Sequence, residues 1–154
     1  MSELSKTISA ALDSEYRMRA AELHGWVDPL SDEQFWTSPF SHGNSVGNLI
    51  LHLTGNLNYY IGAEVAETGY VRNRDLEFSE NRKPLKKEVL QKFDETIVMV
   101  VTTIRNQSEE DWTTPYTAER EPQAKDRFTI FLRCAVHLYH HIGQIVYLSR
   151  ELAK

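Results

Sequence analysis

Residues 84–106 set the terms for the whole chain. Leu85, Val89, Phe93, Ile97, Val100 and Ile104 recur there at spacings of three and four. That period lines one face of an α-helix, whereas one face of a strand needs a period of two. Three further segments share it. The spacing predicts helix A from about Leu4 to Val27, with Ile8, Leu12, Met18 and Leu23 in the core. It predicts helix B from about Ser45 to Thr68, helix C from Pro84 to Asn106 and helix D from about Lys125 to Leu152. No segment alternates as a half-buried strand would, so the expected class is all-α.

The breaks between these segments follow turn chemistry. Pro29, Pro39 and Gly43 prevent one helix from running through residues 25–45. Within that stretch "SDEQFW" fits a single short turn, with Ser31 capping and Gln34 returning the capping-box bond. Asn44 or Ser45 is a suitable N-cap for helix B, Gly69 a suitable stop, and Pro84 a favoured first helical residue. Residues 69–83 read as a polar connection, long enough for a crossover, and Pro115 and Pro122 mark another loop. Four helices of about 23 residues joined in this way predict a four-helix bundle with a long crossover between the second and third. A chain of 154 residues holds one such domain, spanning 1–154, with little room for a second.

Charge and composition exclude some partners. The net charge is -5, and the only basic clusters, "RNR" at 72–74 and "RKPLKK" at 82–87, read as solvated faces. No nucleic-acid partner is expected. Gln34–Ala63 carries no Asp, Glu, Lys or Arg, but Pro39 and several Asn and Gly interrupt it. It lacks the ~20 consecutive apolar residues of a membrane span, so no membrane partner is expected either. The N-terminus has no basic start followed by an apolar run, and Cys134 is the only cysteine. These features point to a reducing compartment and a cytoplasmic protein.

The concentrated chemistry lies in "CAVHLYHHIGQ", residues 134–144. His137 and His141, four apart on helix D, share a face with Ile130, Cys134, Leu138, Ile145 and Leu148 and so look inward. His140 lies about 100° around the helix from His141 and belongs elsewhere. Helix B offers His52, flanked on its own face by Ser45, Asn48, Asn56 and Tyr59. Such a polar strip suits a wet pocket or the surroundings of a metal, where ligand imidazoles need acceptors for their second N–H. Asn48, Asn56, Tyr59 and Gln144 are the candidates for orienting a ligand. The competing reading is a hydrogen-bonded core of histidines, in which each unsatisfied nitrogen would cost about 1–3 kcal/mol. No further haem signature accompanies the pair, and no haem is expected. Cys134 reads as a small buried hydrophobe. His24 and His42 read as surface or capping residues.

Three pieces of the chain, "NSVGNLILHLTGN", "RNRDLEF" and "HLYHHIGQIVYL", resemble the DinB/YfiT-like superfamily of metal-dependent four-helix-bundle proteins. The linking segments also match in length, so the resemblance covers nearly the whole chain. It implies an up-down-down-up bundle, a homodimer, and a divalent metal, usually nickel or zinc, held by His52, His137 and His141. Relatives in that superfamily include bacillithiol S-transferases and a mycothiol-dependent maleylpyruvate isomerase.

Three neutral imidazoles leave a divalent ion with an open position, as in catalytic zinc sites. Such an ion acidifies water to a pKa of ~7 or holds a thiol as thiolate. No Asp or Glu falls on the inferred site faces, so the chemistry expected is that of a metal-activated nucleophile. The leading expectation is a transferase that adds a low-molecular-weight thiol to an electrophilic small molecule, in detoxification or stress response. The alternatives are a metal-dependent hydrolase and a non-catalytic, stress-associated metal-binding dimer. Arg72 and Arg74, in the crossover, are placed to pair with a substrate carboxylate. Helix D carries a second apolar stripe, Phe131, Ala135, Ile142 and Val146, available to a dimer.

Overall fold

The computed structural model describes residues 1–154 and contains α-helices, two short helical turns of other pitch, and no sheet. The helices are α1 (Glu3–Val27), α2 (Asp32–Trp36), α3 (Val46–Leu57), α4 (Arg74–Ser79), α5 (Lys86–Arg105) and α6 (Arg127–Leu152). Their starts follow side-chain chemistry. Ser2, Ser31, Ser45, Asn73 and Asp126 each accept a hydrogen bond from a first-turn backbone N–H. Ser31 and Gln34 complete the expected capping box. The start of α5 depends on tertiary contact, because Asp32 Oδ1 accepts from the Lys86 N–H at 2.9 Å. That places Pro84 and Leu85 just ahead of the helix, and Leu85 is exposed where a core position was expected.

Four long helices share one core. α1 packs on α5 and α6, and α3 packs on the same two. Residue pairs give the directions. Asp13 meets Arg105 while His24 meets Asp94, so α1 and α5 run opposite ways. Tyr16 bonds to the Phe131 carbonyl at 2.6 Å and Arg150 lies over Trp26, so α1 and α6 run the same way. Asn58 bonds to Thr96, and Gly62 faces Met99. Among the largest fully buried side chains are Tyr16, Phe35, Phe93 and Phe131, each worth about 3–5 kcal/mol against alanine. Met18, expected inside, is half exposed.

Two segments depart from the periodicity. Helix B was expected to run to Thr68, but α3 ends at Leu57 and Asn58–Ala63 form a wider π turn. The Tyr60 carbonyl there accepts from the Tyr116 hydroxyl at 2.9 Å. The polar connection contains α4, too short for periodicity to reveal. The Asn73 cap starts it, and Glu77, buried against α3, anchors it. On α6, Phe131, Ala135 and Ile142 are buried in the chain's own core, so the stripe expected to serve a dimer is not free. The exposed apolar residues are instead Phe128, Leu132, Val136, Tyr139 and Tyr147. No helix is long and apolar enough to cross a membrane.

Candidate functional site

Three helices build the site. Ser45 caps α3 and sets its register, which carries His52 into the interior opposite α6. His137 and His141 sit one turn apart on α6, half-buried. The three imidazoles converge: His137 Nε2 lies 3.1 Å from His52 Nε2 and 3.0 Å from His141 Nε2. One nitrogen from each lies within 4.8 Å of the others, close enough to bind a metal ion.

The outer nitrogens fix the protons. His52 Nδ1 lies 2.9 Å from Glu77 Oε1, and a buried carboxylate only accepts, so Nδ1 carries the hydrogen. Arg72 Nη2 is 3.4 Å from the same Nδ1, which with its proton in place cannot accept from it. His141 Nδ1 faces Gln144 Oε1 at 2.7 Å and is likewise the donor. Both Nε2 atoms therefore present bare lone pairs to the centre. His137 Nε2 stands between two bare acceptors, and its Nδ1 is buried with no partner. Either tautomer leaves an unsatisfied atom, at about 1–3 kcal/mol. A cation resolves the central nitrogens, leaving His137 Nδ1 as the one unpartnered atom of the triad. In a tetrahedral zinc site, nitrogens about 2.0–2.1 Å from the ion lie about 3.3 Å apart, close to the spacing here. The residues fit a divalent metal.

Electrostatics agree with neutral ligands. Burial, then the neighbouring imidazoles, pushes His137 down to about 3. Burial lowers His141 as well, against the Gln144 hydrogen bond. Burial alone would raise Glu77, but hydrogen bonds from His52 and Arg72 outweigh it and hold the carboxyl below its usual range.

Glu77 is the neighbour of His52 that the inferred faces missed, and Arg72, expected at a substrate carboxylate, holds Glu77 instead. Arg72 grips the carboxylate with Nε and Nη2, each at 2.8 Å. Glu77 reaches α3 because position 55 is glycine: a Cβ there would stand 2.0 Å from Glu77 Oε2. The expectation that no carboxylate approaches the histidines is thus corrected. The signal was present in "RNRDLEF", which contains both residues. Only the part played by Glu77 stayed hidden, because a polar connection offers no periodicity to say which way a side chain turns.

The other candidates divide. Gln144 Oε1 accepts from His141 Nδ1. Asn48 acts at one remove, accepting from Ser45 and donating to the Glu77 carbonyl at 3.0 Å. No hydrogen bond joins Asn56 or Tyr59 to the histidines. Arg74 stacks over Phe78, whose ring lies 4.9 Å from that of His52. Arg72, engaged by Glu77, is not free for a substrate carboxylate. Cys134 is buried outside the cluster, and burial pushes its thiol up. His140 is exposed and outside the triad, its ring 5.0 Å from that of His141. His24, expected to be an ordinary surface residue, bridges Asp28 and Asp94 at 2.9 and 2.7 Å.

The family model described as "Protein of unknown function (DUF1572)" matches residues 5–154, and the chain belongs to that family. No curated protein matches it.

Proposed function

We propose that this member of the unknown-function family is a DinB/YfiT-like metalloprotein. Its four long helices form an up-down-down-up bundle with the crossover between α3 and α5, and His52, His137 and His141 hold a divalent ion, zinc or nickel. One observation carries this reading: three imidazole nitrogens face one point, while Glu77 and Gln144 keep two of them bare. A core of merely structural histidines would pair its nitrogens with donors, and here His137 can supply at most one N–H to the central nitrogens.

We further propose a transferase that joins a low-molecular-weight thiol to an electrophilic small molecule. An ion held by three neutral imidazoles supplies Lewis acidity that favours the thiolate over the thiol. Glu77 holds the His52 ring in place, Arg72 neutralises Glu77, and Gln144 fixes the orientation of His141. His137 and His141 are only half-buried, which favours catalysis over a sealed structural site. Glu77 is fully engaged and is not free to serve as the base of a hydrolase. A homodimer is part of the proposal, with the exposed Leu132 and Val136 as its support.

Metal analysis of the purified protein beside His52→Ala and His141→Ala tests the site. One ion per chain is expected in the wild type and a loss of at least tenfold in each variant; unchanged content removes that residue. Incubating metal-loaded protein with a panel of thiols and monochlorobimane tests the reaction. Absence of metal-dependent turnover sinks the transferase.

A further inference from the structure

Five glycines lie in helical backbone: Gly25 in α1, Gly47 and Gly55 in α3, Gly62 in the π turn, and Gly143 in α6. Each costs about 0.8–1.0 kcal/mol relative to alanine. Three are explained inside the chain. A Cβ would come within 2.6 Å of Trp36 at Gly47, 2.0 Å of Glu77 at Gly55 and 3.2 Å of Met99 at Gly62. At Gly143 a Cβ would meet nothing within 4 Å. Gly25, near the end of α1, is open as well, and what distinguishes Gly143 is that it lines a cavity.

The open space at Gly143 belongs to a cavity of about 450 Å³, within the range of about 300–1,000 Å³ typical of small-molecule sites. Leu49 and Leu148 line it, as do two exposed aromatic rings, Phe40 and Tyr147. No Asp, Glu, Lys or Arg does. Two of its polar members are His140 and Gln144. Asn44 and His42 also line it; Gln144 spends its oxygen on His141, so its amide N–H groups are free to donate to a guest.

We propose that this cavity binds the uncharged, flat aromatic part of a small molecule, with an acceptor oxygen directed to Gln144. The absence of charge in the lining selects a neutral guest. The aromatic rings select a planar one, and Gly143 lets it lie close to the α6 backbone. Because Gln144 also orients His141, the guest sits one hydrogen bond from the proposed metal centre. Naming it the electrophile's apolar arm rests on the transferase reading; binding itself does not.

The test is titration of metal-free and zinc-loaded protein with 2-naphthol, followed by amide NMR. Saturable shifts centred on Gly143 and Tyr147 are expected in both forms. Gly143→Leu fills the space from a position with nothing to clash against, and should weaken binding at least tenfold with metal content unchanged. Phe40→Ala, at an exposed position, should weaken it severalfold and serves if the first variant folds poorly. Binding undiminished in both variants overturns the proposal, as does no saturable binding. A change in oligomeric mass with Gly143→Leu, read by light scattering, also overturns it and assigns the space to a second copy of the chain. Protein that binds 2-naphthol but takes up no metal overturns the metal reading and leaves the cavity standing.

Discussion

His24 and His137 are the same side chain pushed in opposite directions. His24 lies between α1 and α5 with a carboxylate on each ring nitrogen. Burial alone would lower it, but its hydrogen bonds to Asp94 and Asp28 prevail and raise it. His137 lies between α3 and α6 with imidazoles for neighbours and no acid in contact, and it is pushed down to about 3. Both sit at helix contacts. Burial lowers both and dominates at His137, whereas at His24 two carboxylate partners outweigh it.

The largest break in this comparison is expected from exchanging each for asparagine. His137→Asn should lower metal affinity at least a hundredfold, while His24→Asn leaves it unchanged. Competition with a chromogenic chelator reads both, and equal losses would erase the distinction.

Next in size are the groups behind His52. Glu77→Gln should weaken metal binding about 10–100-fold, the usual range for a partner one step removed from the metal. Gly55→Ala should approach that loss by displacing the carboxylate, although alanine is the better helix former by about 1 kcal/mol. If Gly55→Ala binds metal as tightly as wild type, Glu77 does not act through its position.

Smaller effects come from pH, and the two histidines have opposite signs. His137 is lowered, so in metal-free protein its contribution is full above its unfolded value, about 6.5. It is lost as pH falls below that value, by at most about 1.4 kcal/mol per unit. His24 is raised, so its contribution is full below the unfolded value and lost as pH rises through the folded one. With its partners exposed, it is worth about 0.5–1 kcal/mol. His24→Asn should therefore destabilise at pH 6 and have no effect near pH 9, by urea denaturation of the metal-free protein. A pH-independent loss would reduce His24 to packing.

Much of the fold was legible because four helices are long enough for periodicity to accumulate. Ser31 and Ser45 gave the punctuation, whereas Gly69, expected to stop helix B, lies beyond the helical backbone that ends at Ala63. His52, His137 and His141 were legible as a set because an inward polar residue on an apolar face is costly unless it has a partner. Leu85 and Met18 were misplaced because periodicity locates a face without saying where a helix begins or where its cover ends. The second stripe on α6 was assigned to a dimer because the sequence does not say that α1 covers it. Asn56 and Tyr59 were named for lying on the His52 face, but sharing a face does not make a hydrogen bond.

The sequence by itself determined the all-helical class, the helix starts that its own side chains cap, and which histidines point inward. These depend on contacts within about one helical turn. Tertiary structure alone decided that the three imidazoles meet at one point, that Glu77 crosses 25 residues to hold His52, and that Gly143 opens on a cavity. Each of these requires segments distant in sequence to be brought within a few ångströms, and no local pattern encodes that distance.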